Sequence, residues 1–157
     1  MRIHLLAVGT RMPVWVDAGF EEYARRMPRE CGLILTGIPA VKKTGAQSQR
    51  RDEEGQRLLR AIPKNSKVIV LDGRGAAWTT DQLARHFRDW LQMGRDLSLL
   101  VGGADGLAPV CLERADDTWS LSALTFPHQL VRVIVAEQLY RAWSIVNNHP
   151  YHRGEPE

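Results

Sequence analysis

Apolar positions in this chain follow two rhythms. Four short runs, 3–8, 33–38, 68–71 and 97–101, are almost continuously apolar and are bounded by Gly, Pro, Asn or Asp. Runs of this length and density suit strands buried on both faces, as in a parallel sheet. A fifth and less regular candidate covers 119–126, WSLSALTF. Between the runs the period changes to that of a helix. Trp15, Phe20, Tyr23 and Met27 recur on a helical spacing within 13–27, which Pro28 closes. The segment 49–62 is amphipathic and is closed by Pro63. Thr79 or Thr80 can cap a helix whose Leu83, Phe87, Trp90 and Leu91 share a face, with Gly94 as its stop. A short helix is expected over 109–116 and a long one over 128–147, while 41–48 reads as a polar loop.

This alternation predicts an α/β fold with a mostly parallel sheet flanked by helices. A chain of 157 residues suits one domain, taken here as 1–157 with a tail at 148–157. Hydrophobic residues at 44% and charged residues at 25% are ordinary for a globular protein, which argues against a disordered or membrane class. No apolar run reaches the length that spans a bilayer, and 3–8 is too short for a leader's apolar core. Cys31 and Cys111 stand alone in apolar surroundings, with no C-x-x-C. Two buried thiols in a reducing compartment, the cytoplasm, is the expectation.

The net charge of +3 is mild, but it is unevenly placed. Residues 41–60 hold six Lys/Arg, opening with Lys42 and Lys43, against three Asp/Glu; the remaining segments nearly balance. A local excess of this kind fits a phosphate-backbone contact, and equally a solvated helix face with i, i+4 pairs.

Ligands of parallel α/β sheets bind beyond the carboxyl ends of the strands. Three such ends are unusual here: Leu71-Asp72-Gly73-Arg74-Gly75, Val101-Gly102-Gly103-Ala104-Asp105-Gly106, and the stretch from Ser120 to Pro127. The glycines allow close backbone approach, but they match neither G-x-G-x-x-G nor a P-loop. Asp72 suits a ribose contact or a turn. The neutral stretch 121–126 can offer backbone groups to an adenine edge while its apolar atoms cover the ring, or it can be an edge strand. The long final helix is apolar nearly all round in its first half, yet it carries Arg132, Glu137 and Arg141. Glu137 and Arg141, spaced i, i+4, can form a structural ion pair or a polar cluster facing substrate. The tail NHPYHR brings His149, Tyr151, His152 and Arg153 together. Two histidines without a further ligand make a poor metal site, so no metal is expected. His, Tyr and Arg suit a nucleobase and its phosphate, and a loosely ordered end is the other reading.

Taken together, HLLAVGT at the start, IPA at 38–40, DGRG at 72–75, LLVGGADGL at 99–107, SLSALTFPHQLVRVIVAEQLYRAWSI at 120–145 and HPYHR at 149–153 resemble the RlmH family. Its members are the pseudouridine-N3 methyltransferases of large-subunit ribosomal RNA, within the SPOUT superfamily. The resemblance covers nearly the whole chain. It implies a C-terminal trefoil knot, which general rules of chain connectivity would not suggest. It implies S-adenosylmethionine held by Leu71, Gly102, Gly103, Leu121, Ser122, Ala123, Leu124, Thr125 and Phe126. It also implies a homodimer in which the tail of one subunit reaches the site of the other, acting on the RNA of assembled ribosomes, without metal or membrane. On that reading His152 and Tyr151 hold the base, and Arg141 and Arg153 meet phosphate or developing charge. Glu137 orients Arg141, and Lys42 and Lys43 add RNA contacts. The acidic end, Gly154 to Glu157, departs from an RNA-facing tail and is expected to point away. Three other readings stay open at this stage: a different nucleotide-binding enzyme using Gly102 and Gly103 for phosphate, a non-catalytic ribosome-binding factor, and a dimeric assembly scaffold.

Overall fold

A computed structural model of the chain describes residues 1–42 and 45–153. Lys43 and the acidic end at 154–157 lie outside them. Among the described residues five strands and five α-helices alternate: β1 (Ile3–Val8), α1 (Val14–Ala24), β2 (Leu33–Ile38), α2 (Gln47–Ala61), β3 (Lys67–Ala76), α3 (Thr80–Met93), β4 (Leu97–Val101), α4 (Pro109–Arg114), β5 (Asp117–Trp119) and α5 (His128–Val146). Among the described residues all pairings between these strands are parallel, and the sheet order is β2-β1-β4-β3-β5. The expected α/β class with a parallel sheet flanked by helices is therefore what the chain adopts.

Alternation along the buried strands explains why both faces read as apolar. Leu5, Ile69 and Leu99 pack with Phe20, Phe87, Trp90 and Leu139 on the side of α1, α3 and α5. Leu6, Val68, Val70 and Leu100 pack with Leu58, Leu107 and Cys111 on the side of α2 and α4. Both cysteines are buried free thiols. Local punctuation sets the helix ends. The Thr79 hydroxyl accepts from Gln82 N (3.1 Å), and the Gln82 carboxamide accepts from Thr79 N (2.9 Å). This reciprocal cap satisfies two otherwise orphan donors. Gly94 ends the same helix at φ 75°, a left-handed conformation that costs glycine little.

The structure departs from the sequence expectation at 119–126. Only Asp117–Trp119 forms β5, and the following residues leave the sheet. After a last ladder-like bond from Ser120 N to Ala76 O (2.9 Å), the segment bonds to itself. The Ser120 hydroxyl donates to Ser122 O (3.1 Å), and the Ser122 hydroxyl accepts from Leu124 N (2.9 Å). Serine side chains offered to nearby backbone compete with a ladder, and here they prevail. In exchange β3 runs longer than expected. It bulges between Leu71 and Ala76, both opposite Trp119. A Cβ at Gly75 would lie 2.5 Å from Thr118 backbone, so the bulge needs a glycine there.

One polar cluster closes the amino end of the sheet. Asp96 accepts from Arg2 N (3.0 Å) and pairs with His4 Nε2 (3.1 Å). The Arg2 amide first, and then His4, hold the Asp96 carboxyl below its usual range. A folded-state value below the unfolded one stabilises the protein above about pH 4, and the effect drains away as the pH falls through the folded value. Asp96→Asn is thus expected to be less stable than the parent at pH 6, with the gap shrinking toward pH 3. Urea denaturation midpoints at the two pH values would read this, and a gap independent of pH contradicts it.

Candidate functional site

β3 and β4 run in register from Lys67 opposite Leu97 to Val70 opposite Leu100. The two strands therefore leave the sheet side by side. Beyond their carboxyl ends lies a cavity of about 500 Å³, within the range of small-molecule sites. Leu71, Asp72 and Gly73 form one wall, Val101, Gly102, Gly103, Gly106 and Leu107 another, and the loop from Ser120 to Phe126 closes over them. His128 and Val131, from the first turn of α5, complete the lining. All nine residues that the resemblance named for a cofactor line this cavity: Leu71, Gly102, Gly103, Leu121, Ser122, Ala123, Leu124, Thr125 and Phe126. Sequence reasoning left Asp72 undecided and passed over His128 and Val131. Their position directly after the loop and Pro127 was the available signal.

The glycine turn is tightly built. Gly106 N donates to Gly103 O (3.0 Å), and Gly106 sits at φ 79°. A Cβ on Gly102 would lie 2.6 Å from the Gly106 carbonyl, closer than real contacts allow. From behind, α2 presses on the same segment, since a Cβ on Gly55 would lie 2.6 Å from that of Ala108. The Gln47 carboxamide donates to Asp105 (3.0 Å), and Arg50 approaches the same carboxylate at 3.5 Å. Buried Glu54 accepts from Val41 N (3.0 Å). Part of the basic segment thus serves structure. Arg50 turns in to Asp105, and Arg57 binds Glu53 (2.9 Å) and Pro39 O (2.8 Å), leaving Lys42 exposed. Across the cavity, Asp72 accepts three bonds from Arg74, whose guanidinium holds the Asp72 carboxyl below its usual range.

Arg132 is only 3% exposed. Its Nη2 donates to Val8 O (3.1 Å) and Gly9 O (2.8 Å), tying α5 to the end of β1. Burial lowers its pKa below the ordinary arginine value. Glu137 and Arg141 pair as their spacing allowed, with Nε at 2.9 Å and Nη2 at 2.6 Å from Oε1. The tail docks on them. Residues Pro150–Arg153 form a 3₁₀ turn, and the Tyr151 hydroxyl donates to Glu137 Oε1 (2.9 Å). Arg141 Nη1 donates to His152 Nδ1 (3.2 Å), and its guanidinium lies 4.9 Å from the Tyr151 ring centre. Glu137, Arg141, Tyr151 and His152 therefore meet, with exposed Arg153 beside them, but none of the five lines the cavity. Among the described residues no group of three or more His, Cys, Asp or Glu could hold a metal, and no helix is long and apolar enough to cross a membrane.

The frame of the site is thus a parallel α/β sheet whose strand-end cavity is closed by a loop feeding the last helix. Residues 1–152 match the family described as "Predicted SPOUT methyltransferase", and the chain belongs to that family. Its curated relatives carry a more particular name. The chain is 57% identical over 155 residues to the ribosomal RNA large subunit methyltransferase H of Thioalkalivibrio sulfidiphilus, covering 98% of this chain and 99% of that protein. It is 54% identical to the protein of that name from Nitrosococcus oceani, at 98% and 99% coverage. Against that of Methylococcus capsulatus the identity is 55%, at 98% and 100%.

Burial, and next its bond to Glu137, push the Tyr151 phenol above its ordinary value of 10.0. Glu137→Gln should therefore bring the phenol back toward that value in an alkaline absorbance titration. It should also cost about 1–3 kcal/mol of unfolding free energy, the worth of bonds to a charged acceptor. A titration curve identical to the parent's would contradict the docking of Tyr151 on Glu137.

Proposed function

We propose that this chain is an S-adenosylmethionine-dependent methyltransferase acting on N3 of a pseudouridine in the large-subunit (23S) ribosomal RNA of assembled ribosomes. The carrying observation is the cavity beyond β3 and β4, lined by glycine turns and a self-bonded neutral loop, in a chain more than half identical to enzymes named for that RNA. The cavity suits the cofactor. Leu71, Leu107, Leu121 and Phe126 offer apolar surface for an adenine ring, Asp72 and Ser122 offer polar groups for a ribose, and a Cβ position on Gly73 or Gly106 meets open space.

On this reading one domain spans 1–157, its tail is 148–157, and the 120–127 segment belongs to a trefoil knot. The protein is a homodimer of the cytoplasm. Two features support the dimer: Leu124 is 73% exposed and Leu130 and Ile134 of α5 are only half-buried, and the tail cluster stands apart from the cavity of its own chain. The partner's tail then completes each site. The two free, buried thiols suit a reducing compartment.

Bound S-adenosylmethionine supplies an electrophilic methyl group. The chain's own residues position the acceptor and manage its proton. Tyr151 and His152 hold the base. Arg141 and Arg153 stabilise phosphate or the charge that develops as the acceptor nitrogen loses its proton. Glu137 orients Arg141, as its two bonds to that guanidinium allow. Lys42, with Lys43, adds phosphate contacts.

Mass spectrometry of ribosomal RNA nucleosides from cells with and without the protein is expected to show a methylated pseudouridine that disappears with it. An unchanged peak would sink the proposal. Gly102→Ala should weaken S-adenosylmethionine binding at least about ten-fold in calorimetry, because the turn must open to admit the methyl. Affinity equal to the parent's would remove the glycine turn from the site.

A further inference from the structure

The stretch that follows the paired part of β3 leaves the ladder. Its register against β5 breaks between Leu71 and Ala76, so 72–75 bulge out at the carboxyl end of the strand. Asp72 and Gly73 line the cavity there. Arg74 does not line it, but its side chain folds back onto Asp72. Its Nε donates to Asp72 Oδ1 (2.9 Å) and its Nη2 to Oδ2 (3.0 Å), while its backbone amide donates to Oδ1 (2.9 Å). Two parallel N–H···O bonds fix both the plane and the direction of the guanidinium.

The pair is lopsided in exposure: the Asp72 side chain is 15% exposed and that of Arg74 is 75% exposed. A pair this open to water adds little to stability, so stability does not account for it. A guanidinium has five N–H donors, and the Asp72 carboxylate takes two of Arg74's. The outer edge, formed by Nη1 and the second hydrogen of Nη2, is left for solvent or a ligand. An arginine already locked in one geometry loses less freedom when it binds. The approach beside it is open, since a Cβ on Gly73 would meet nothing within 4 Å.

We propose that Arg74 clamps a backbone phosphate of the acceptor RNA strand at the rim of the cavity. The inference rests on the proposed function and deepens it, by naming a group that sets the strand's register against the methyl donor. The planar fork of a guanidinium matches two non-bridging oxygens of a phosphodiester. The Asp72–Arg74 pair carries no net charge, so the contact acts at hydrogen-bond range and not as a long-range attraction. A contact of this kind positions the strand without reading its bases. In the sheet order β1 and β4 separate it from β2, after which exposed Lys42 follows, so phosphate contacts flank the opening from two sides.

The test uses ribosomes from cells that lack the protein, at saturating S-adenosylmethionine, with the full-length parent, Arg74→Ala, and the double variant Asp72→Asn with Arg74→Ala. Arg74→Ala is expected to raise KM for ribosomes about ten-fold, the lower end for bonds to a charged group. The double variant separates a clamp from mere screening of the Asp72 charge. A clamp leaves its KM as high as that of Arg74→Ala, whereas screening alone restores the parent's KM once the carboxylate is gone. Calorimetry without ribosomes should find S-adenosylmethionine affinity unchanged in Arg74→Ala. An unaltered KM in Arg74→Ala, recovery of the parent's KM in the double variant, or a fall in cofactor affinity as large as the rise in KM would overturn the clamp. Failure of the parent protein to methylate these ribosomes would instead overturn the reading of function on which it rests.

Discussion

The candidate site depends on one constraint, the parallel register of β3 against β4. Because Lys67 to Val70 lie opposite Leu97 to Leu100, Leu71-Asp72 and Val101-Gly102 emerge at one level. Two strand ends at different heights would present a step, and no single loop could cover both. The bulge after Leu71 then lets β3 continue beside β5 while its turn stays open toward the cavity. Packing from behind keeps that geometry rigid, with Gly55 against Ala108 and the Asp105 carboxylate held by Gln47 and Arg50.

Two buried charges flank this construction from opposite faces of the sheet. Arg132 reaches from α5 to the carbonyls of Val8 and Gly9, and Glu54 reaches from α2 to the amide of Val41. Neither is neutralised by a close ion pair among the described residues, and each keeps one atom, Arg132 Nε and Glu54 Oε1, without a partner. Such groups are costly in an apolar setting. Each ties a helix to the segment that follows a strand end, at β1 and β2 respectively. Glu137 contrasts with both, since it gathers Arg141, Tyr151 and Gln138.

Most of the fold was legible because its signals are local. The apolar runs at 3–8, 33–38 and 97–101 became strands with those bounds, and Thr79 and Gly94 mark the ends of α3 as their chemistry suggests. The miss at 119–126 was also local in origin. Its composition suits a strand, but Ser120 and Ser122 divert the backbone onto themselves once β5 has reached the end of β3. The cavity lining was reachable from glycine turns and from family resemblance together, not from spacing alone. The docking of Tyr151 on Glu137 joins residues 14 apart through a reversal of the chain, and no periodicity encodes that.

The sheet order also carries a kinetic consequence. β1 is first in the chain, yet β4, one of its two neighbours, ends at Val101. At roughly 5–20 residues per second of synthesis, β1 waits on the order of 5–20 seconds for that edge to be filled. During that time the β1–β2 pair presents an apolar strand with unsatisfied hydrogen-bonding groups, the kind of edge that recruits other chains. The central position of the last long strand makes folding a late, long-range event, and it leaves the nascent chain most exposed to aggregation before β4 is made.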